Sequence, residues 1–435
     1  MELLIIALLG LGAGTVVGLL PGIGPASLLL ITFPFLYKLN LLEVFTFYFS
    51  MLTSTQYYGS VCAIVYGVPG EISSMPAVKY GHSLFRLGKG SQALMQTATG
   101  SFLGALFAIF LLALAINHAE YFQFFFKNSI RAPFILSTLL VMIMLATEKW
   151  KALILALLGI LAGKVGYDSL YGGRILTFSV DELDAGIPFY PMFMGFIIIP
   201  TLWHYAHKPI ISDIDVTCIK LSNRFQYLTN LKYKWSMLRG ATIGFCAGLI
   251  PGASYTISSN LSASFENKFT KSPMANLVSA ETANNAGSIS VLLPLLLFAI
   301  PIVPSESLLL AVAQTKGFIP SNVIFITHFW LIIGGLITIN TINWILSGML
   351  VQYVLRLHNY AKDQIYKLAG IICLAIMNFI AYADNQLILS VSVFVIALIA
   401  ATIVKLEDNK FIFIFAFFIS DILTDELYRF YQLNF

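Results

Sequence analysis

The chain has 435 residues, of which 58% are hydrophobic and only 11% are charged, with 25 Lys and Arg against 21 Asp and Glu. Soluble domains carry about a quarter charged residues, so the composition excludes a water-soluble globule. Intrinsic disorder is excluded as well, because it requires low hydrophobicity and a high net charge. The mean hydropathy of +0.84 therefore predicts an all-α polytopic protein whose main partner is the lipid bilayer.

The apolar runs fall into two sets separated by a basic stretch at 208–239. Six of the 25 basic residues lie in that stretch, and such a bias is typical of a loop on the cytoplasmic side. We therefore predict a first half at 1–207, a cytoplasmic linker at 208–235 and a second half at 236–435. Three runs too short to cross the bilayer predict re-entrant half-helices, namely 25–37, 253–264 and 302–315.

An internal repeat links the two halves. A series of three glycines four residues apart precedes Leu-Leu-Pro-Gly at 19–22, and a second series precedes Leu-Ile-Pro-Gly at 249–252, at a constant offset of 230 residues. The pattern predicts two pseudo-symmetric repeats, an arrangement typical of transporters with a midplane site. Glycines at this spacing also serve simply to pack two helices closely, and that interpretation stays open for Gly10, Gly14, Gly18, Gly240, Gly244 and Gly248.

The Pro-Gly pairs predict broken helices. Proline removes a backbone donor and clashes with the preceding turn, and a break inside lipid must be buried in protein or line a wet cavity. The helix that restarts presents free N–H groups to an anion, while the carbonyl side suits a small cation. A proline kink needed only for packing is the alternative. The substrate- or ion-binding residues predicted at the two breaks are Pro21, Gly22, Gly24, Pro251, Gly252 and Ser254.

A second polar group lies within an apolar segment at 280–288. Glu281, Asn284 and Asn285 share one helix face by their spacing, and Ser288 follows one turn later. A buried carboxylate beside two amides is costly unless it is paired or hydrated. The group could bind substrate, carry a proton or hold Na⁺ at Asn284 and Asn285, or it could be a structural cluster that braces the broken helices.

The stretch at 57–70 combines small polar residues at one end with a further Pro-Gly pair at the other. This pair predicts a helix break for the same reason as the two pairs above. We add Tyr57, Ser60, Pro69 and Gly70 to the predicted site. The second half shows a weaker similarity to this stretch, since Gly287-Ser288 resembles Gly59-Ser60 and Pro301 resembles Pro69.

Several of these motifs, in order, resemble the large permease subunit of the tripartite tricarboxylate transporters. The resemblance covers about 10–315 and is weak beyond 320. It rests on Leu-Pro-Gly-Ile-Gly-Pro at 20–25, the stretch 57–70, Gly163 to Asp168, Asp184 to Phe196, Arg239 to Ser254, and Ala-Glu-Thr-Ala-Asn-Asn-Ala at 280–286. The sequence departs from the family pattern at 300–305, where Pro-Gly-Ser is usual, and at Tyr58 and Tyr80.

The resemblance implies a multi-pass secondary transporter of the bacterial inner membrane that moves small carboxylate anions such as tricarboxylates. It implies a Na⁺ or H⁺ gradient as the driving force, with no other cofactor, and two partners: a small membrane subunit and a periplasmic solute-binding protein.

Other functional classes find less support in the residues. No zinc-protease, Walker or nucleophile-elbow motif occurs in the sequence, which argues against an enzyme. No basic stretch is interleaved with aromatic residues, so no nucleic acid is expected as a partner. A channel-like or scaffold subunit without coupled transport is the alternative function.

Overall fold

The protein was analysed as a computed structural model. The structure describes residues 2–19, 24–36, 38–70, 72–115, 148–168, 172–200, 232–250, 254–298, 302–318, 323–360, 365–383, 385–404 and 407–434. It also describes isolated positions within 133–146, and positions 203 and 228.

The described residues are almost entirely helical and form two compact units. The first unit takes its helices from both sides of the basic linker. Its α-helices are α1 (Glu2–Leu19), α2 (Pro25–Leu36), α3 (Leu41–Tyr66), α4 (Gly90–Ala115), α7 (Lys234–Gly248), α8 (Ser254–Phe269), α9 (Pro273–Ser290), α10 (Leu292–Phe298), α11 (Pro304–Thr315) and α12 (Val323–Tyr360). Between α3 and α4 lie a 3₁₀ turn (Ile72–Ser74) and two π-helical segments (Ala77–His82 and Phe85–Lys89).

Within the described ranges, the second unit has five α-helices of defined bounds and a short antiparallel hairpin. Its elements are α5 (Lys149–Gly163), β1 (Gly166–Asp168), β2 (Gly173–Ile175), a 3₁₀ turn (Asp181–Ala185), α6 (Phe189–Phe193), a π-helical segment (Met194–Ile198), α13 (Ile365–Ala383), α14 (Leu387–Ile403) and α15 (Glu407–Asn434).

These units are defined by packing, whereas the halves 1–207 and 236–435 were predicted from sequence repetition. The division into halves therefore stays a prediction. Most of the linker at 208–235 lies outside the described residues.

Three helical segments of the described chain are long and apolar enough to cross a membrane: Glu2–Leu19, Phe85–Ala115 and Phe329–Ser347. The shorter helix Leu387–Ile403 is also strongly apolar. Helices α5, α13 and α14 expose large aliphatic or aromatic side chains such as Ile154, Phe379 and Ile396, as expected of surfaces that face lipid rather than water. The prediction of an all-α membrane protein is confirmed.

Local sequence fixes the ends of the central helices. Asn40 and Glu43 form a reciprocal capping box at the start of α3, with bonds of 3.0 and 2.8 Å, which satisfies two otherwise free N–H groups. Gly67 ends α3 in a left-handed conformation with φ of 68°, which glycine adopts without steric cost. Ser272 caps α9 ahead of Pro273, and every residue from Met274 to Ser290 is buried.

The glycine series allow two pairs of helices to pack backbone to backbone. A Cβ atom added at any of these glycines would clash with the backbone of the neighbouring helix. In the first pair α1 meets α3, and in the second pair α7 meets α9. The contacts run from Gly10, Gly14 and Gly18 to Phe47, Met51 and Thr55, and from Gly240, Gly244 and Gly248 to Ser279, Ala283 and Gly287. The helix-packing interpretation of these glycines is confirmed.

The same contacts fix relative helix directions. Because residue numbers increase together on both helices of each pair, α1 runs parallel to α3 and α7 runs parallel to α9. Helix α4 joins α9 in the same way, since Gly100 and Gly104 both pack against Thr282.

Candidate functional site

Helix α9 lies at the centre of the first unit and has three contact faces. Ser279, Ala283 and Gly287 face α7, while Thr282 faces α4. Leu277 faces the π-helical segment Ala77–His82, where its Cδ1 lies 3.3 Å from the place a Cβ on Gly81 would take. Helical periodicity puts Glu281, Asn284 and Ser288 on this third face with Leu277.

After α3 ends, the chain turns back along it. Gly70 lies only four residues beyond Tyr66, yet a Cβ on Gly70 would stand 3.0 Å from the Cα of Gly59 and from the carbonyl oxygen of Gly18. Gly59 is about two turns before the end of α3. The re-entrant segment, residues 67–70 and 72–74, therefore lies beside α3, and its backbone can approach this closely only because all three contact positions are glycines.

Ser73, in the re-entrant segment, connects α3 with α8. Its Oγ donates to Gln56 Oε1 of α3 at 3.3 Å, and its carbonyl oxygen accepts a hydrogen bond from Ser259 Oγ at 2.6 Å. All three residues are buried. This connection brings residues from the two sides of the basic linker into direct contact.

Helices α8 and α9 form an antiparallel pair. Ser262 Oγ lies 2.8 Å from Ser279 Oγ, whereas Ser258 Oγ lies 2.6 Å from the place a Cβ on Gly287 would take. Ser259 is next to Ser258 on α8 and therefore lies level with the C-terminal half of α9.

Two contacts then fix the direction of α3 against α9. Ile64 of α3 and Leu277 of α9 both pack at Gly81, so these two residues lie at the same height. Gln56, two turns earlier on α3, is linked through Ser73 and Ser259 to the C-terminal half of α9. The two helices are therefore antiparallel, and Tyr57 lies at about the height of Asn284.

Three polar groups near this height are buried without a hydrogen-bond partner among the described residues: the Tyr57 hydroxyl, Gln56 Nε2 and Asn284 Oδ1. The side chains are 3%, 1% and 1% exposed. A buried polar group left unsatisfied costs about 1–3 kcal/mol, and such groups are rare in folded proteins. Their concentration at one height of two facing helices is what a ligand site requires, because a ligand can satisfy all three.

The other predicted residues of α9 and α3 are partly engaged within their own helices. Asn285 Nδ2 donates to the Glu281 carbonyl oxygen at 3.2 Å, and Ser288 Oγ donates to the Asn285 carbonyl oxygen at 2.9 Å. Ser60 Oγ donates to the Tyr57 carbonyl oxygen at 2.9 Å. Glu281 is completely buried.

The predicted residues of the Pro-Gly pairs are described only in part. Gly70 packs as described above, and Pro69 beside it is buried. Gly24 precedes α2, and its carbonyl oxygen accepts a hydrogen bond from Leu28 N–H at 3.3 Å. Ser254 is the first residue of α8. Pro21, Gly22, Pro251 and Gly252 lie outside the described residues.

The helices stop where those pairs predict a break. Helix α7 ends at Gly248, and Leu249 and Ile250 form a turn whose N–H groups bond back to Cys246 and Ala247. Helix α1 ends at Leu19, and α2 begins at Pro25.

Sequence reasoning missed two groups of polar residues. Gln56 and Ser73 were overlooked because their roles depend on the re-entrant turn, which no local pattern announces. Glu266, in α8, is completely buried and forms a two-pronged ion pair with Arg239 of α7 at 2.7 Å, supported by Ser236 at 2.8 Å. This pair braces α7 against α8, since breaking a buried ion pair by removing one partner is strongly destabilising.

The hairpin of the second unit carries an ion pair of a different kind. Arg174 contacts Asp181 and Asp184 at 2.7 Å each, and all three side chains are substantially exposed. The hydrogen bond to Asp181 and the charge of Asp184 raise the pKa of the Arg174 guanidinium. Such exposed pairs contribute little to stability, so we assign the hairpin no part in the candidate site.

The Na⁺ site predicted at Asn284 and Asn285 would need further oxygen ligands around these two amides. The described residues contain no group of three or more His, Cys, Asp or Glu side chains that could hold a metal ion. Asn284 Oδ1 is buried without a partner among the described residues, and Na⁺ at Asn284 and Asn285 stays a prediction.

The sequence model of the tripartite tricarboxylate transporter TctA family matches residues 4–413. The chain belongs to this family. It is therefore a component of a tricarboxylate transport system and not an enzyme, and the tripartite system implies partner subunits.

The chain is similar in sequence to two uncharacterised proteins. It is 31% identical over 343 residues to an Agrobacterium vitis protein described as an uncharacterised 52.8 kDa protein in the TAR-I ttuC' 3' region. This alignment covers 75% of this chain and 67% of the relative. It is 30% identical over 169 residues to an uncharacterised protein of Methanocaldococcus jannaschii, which covers 38% of this chain and 42% of the relative. No solved structure matches the chain.

Proposed function

We propose that this TctA-family chain is the permease of a secondary active transporter that moves small carboxylate anions, such as tricarboxylates, across the bacterial inner membrane. Transport is driven by a Na⁺ or H⁺ gradient. The chain works with a small membrane subunit and a periplasmic solute-binding protein. The observation that carries the proposal is the group of buried polar atoms without partners among the described residues, on Gln56, Tyr57 and Asn284.

Two inverted repeats form the frame of the proposed site. Helices α1 and α3 are parallel, α7 and α9 are parallel, and α3 runs opposite to α9, so the two helix pairs have opposite directions. The contact positions on α3 and α9 are also related by one offset: 279 less 47, 283 less 51 and 287 less 55 each give 232. Inverted repeats with a midplane site are a common plan among secondary transporters.

This register refines the predicted repeat. Pro69 corresponds to Pro301 at an offset of 232, which agrees with the weaker similarity noted between these two positions in the sequence. Gly287, in contrast, corresponds to Thr55 and not to Gly59, so the pairing of Gly59-Ser60 with Gly287-Ser288 is replaced.

The chemistry of the site suits an anion bound together with a cation. The amide and hydroxyl groups of Gln56 and Tyr57 are donors for a carboxylate oxygen, and the N-termini of α2 and α8 carry partial positive charge. Glu281 lies about one turn from Asn284 on the same face of α9. Because its charge would repel an anion, we expect a proton or a metal cation to enter with the substrate.

Uptake by the purified protein tests this function. The full chain and its two partner subunits would be reconstituted in vesicles, and uptake of labelled citrate and a panel of smaller dicarboxylates would be measured with an imposed Na⁺ or pH gradient. We expect accumulation that stops when the gradient is collapsed. Conductance without coupling would instead favour a channel, and the absence of any uptake or conductance would favour a scaffold subunit.

A further inference from the structure

Glu306 is a buried carboxylate to which the sequence assigned no role. It lies in the first turn of α11 and is completely buried. One carboxylate oxygen, Oε2, accepts a hydrogen bond from the Ile302 N–H at 2.9 Å. The other, Oε1, is buried and has no partner among the described residues. No ion pair to Glu306 occurs in the part of the chain that the structure describes.

Among the described residues, the helices that pack against the helix of Glu306 carry no cationic side chain. Helices α2 and α3 are the main neighbours of α11, and α2 has no titratable side chain. On α3, the Tyr48 hydroxyl lies 3.0 Å from Ser305 Oγ, and the carboxylate of Glu43 is engaged in the cap of that helix. Phe45 and Phe318 close the same region with ring centroids 5.1 Å apart.

An ionised carboxylate is unfavourable in such a place. Taking a carboxylate out of water costs several kcal/mol unless a partner charge or several hydrogen bonds compensate it. The backbone N–H groups of Ile302 and Val303 favour the charged form, but Oε1 has no hydrogen-bond partner among the described residues. A proton on Oε1 removes the charge and leaves Oε2 free to accept from Ile302. The position therefore has the properties of a proton-binding site.

The location of Glu306 connects it with the proposed site. In the register of the two repeats, Glu306 corresponds to Ser74, since 306 less 74 is 232. Ser74 belongs to the re-entrant segment of the first repeat, and its Oγ lies 3.6 Å from the place a Cβ on Gly59 would take. Tyr48, which contacts Ser305, lies about 13 Å along α3 from Tyr57. Glu306 thus stands at the start of the half-helix that corresponds to the re-entrant segment.

We propose that Glu306 binds a proton from one side of the membrane and releases it on the other, so that the chain couples carboxylate transport to H⁺. Only the proton changes place: Glu306 Oε1–H is formed from the carboxylate and a proton of the aqueous phase, and the reverse step returns both. The link to transport rests on the proposed function, whereas the presence of the proton does not. A purely structural role, in which the carboxylate caps α11 through Ile302, is the competing explanation.

Infrared spectroscopy tests the proton directly. The full chain carrying ¹³C-labelled glutamate would be examined in lipid at neutral pH for the C=O stretch of a protonated carboxyl group. We expect a band that disappears in Glu306→Gln, a variant that keeps the shape and the acceptor for Ile302. Glu43→Gln, at an exposed cap, is the control and should leave that band unchanged. A spectrum identical in wild type and Glu306→Gln would overturn the proposal.

Uptake tests the coupling separately. With the partner subunits and no Na⁺, an inward proton gradient should drive citrate accumulation in wild type, and Glu306→Gln should reduce that accumulation at least tenfold. The variant should still exchange labelled for unlabelled citrate at a rate within about twofold of wild type. Citrate uptake driven by Na⁺ and insensitive to the pH gradient would overturn H⁺ coupling and leave the proposed function standing. The infrared band without uptake under any gradient would support the proton on Glu306 and contradict the proposed function.

Discussion

At the scale of single residues, the proposed site rests on three buried polar atoms, of Gln56, Tyr57 and Asn284, at one height of two neighbouring helices. Each costs about 1–3 kcal/mol when it has no partner, so the folded state is less stable than it would be with apolar groups in their place. Residues that lower stability in this way are expected at functional sites, where a ligand completes the hydrogen bonds.

Replacement of Asn284 by leucine separates a ligand site from a purely structural cluster. We expect Asn284→Leu to lower citrate uptake at least tenfold, which is the effect of losing about 1.4 kcal/mol of binding energy. Thermal stability in detergent should stay level or rise, because a buried unpartnered oxygen is removed. Uptake and thermal unfolding of the same preparations provide the measurement.

Asn276 provides the matched control on the same helix. Its Nδ2 donates to Asn267 Oδ1 at 2.9 Å, while its Oδ1, like that of Asn284, is buried without a partner among the described residues. Because Asn276→Leu removes that donated hydrogen bond, it should lower thermal stability with little effect on the apparent affinity for citrate. If Asn284→Leu instead destabilised the protein and left uptake unchanged, Asn284 would be a structural residue.

The two tyrosines of α3 allow a second comparison. The Tyr57 hydroxyl has no partner among the described residues, whereas the Tyr48 hydroxyl contacts Ser305. Tyr57→Phe should therefore lower citrate affinity about tenfold without loss of stability. Tyr48→Phe should cost about 1 kcal/mol of unfolding free energy. Equal effects of both substitutions on affinity and stability would argue against a ligand at Tyr57.

The sequence located Tyr57 and Asn284 but could not bring them together. Their spacing within each helix follows from periodicity, yet their common height depends on the contacts of Gly81 and Ser73 with both helices. Gln56 was missed although it is next to Tyr57, because glutamine in a helix has no pattern that distinguishes a site from a surface. Glu306 was missed although it lies in the predicted half-helix at 302–315, because no repeat or cluster of polar residues sets this single carboxylate apart.

At the scale of elements, the glycine series decide how closely the helices approach. Their regular spacing made the packing predictable from sequence, and the helix ends at Leu19 and Gly248 agree with the positions of the Pro-Gly pairs. The position of the re-entrant segment (67–70 and 72–74) was not predictable, because it depends on a contact among Gly18, Gly59 and Gly70, which are not neighbours in the sequence.

Two glycines of α1 provide a matched test of this packing. A Cβ at Gly14 would clash with the Met51 carbonyl oxygen, whereas no atom lies within 4 Å of a Cβ at Gly12. Gly14→Ala should destabilise the protein by about 1–3 kcal/mol, as expected for overpacking against a backbone that cannot yield. Gly12→Ala should be neutral or stabilising by about 0.5–1 kcal/mol, because alanine favours helix. Thermal unfolding in one detergent compares them, and equal stability of the two variants would contradict the packing.

At the scale of the whole molecule, the proposed transport function requires α3 and α9 to be the antiparallel centre of two inverted repeats. Helices that are symmetric in this way can exchange roles, so that a site between them opens first to one side of the membrane and then to the other. Composition and hydropathy were sufficient to predict the all-α membrane class. The relative direction of the proposed repeats was not predictable, because the number of complete spans before the linker could not be counted from apolar runs alone.

Substrate protection of a single thiol tests the central claim most directly. Asn284→Cys would be introduced into a chain whose four native cysteines are replaced. A small charged thiol reagent would then be added on one side of the membrane or on the other, with and without citrate, and the rate of labelling measured. Asn276→Cys is the control on the same helix. The account predicts that position 284 is labelled from both sides and that citrate slows its labelling at least tenfold, with no protection at position 276. Labelling of position 284 that proceeds at the same rate with and without citrate would contradict it.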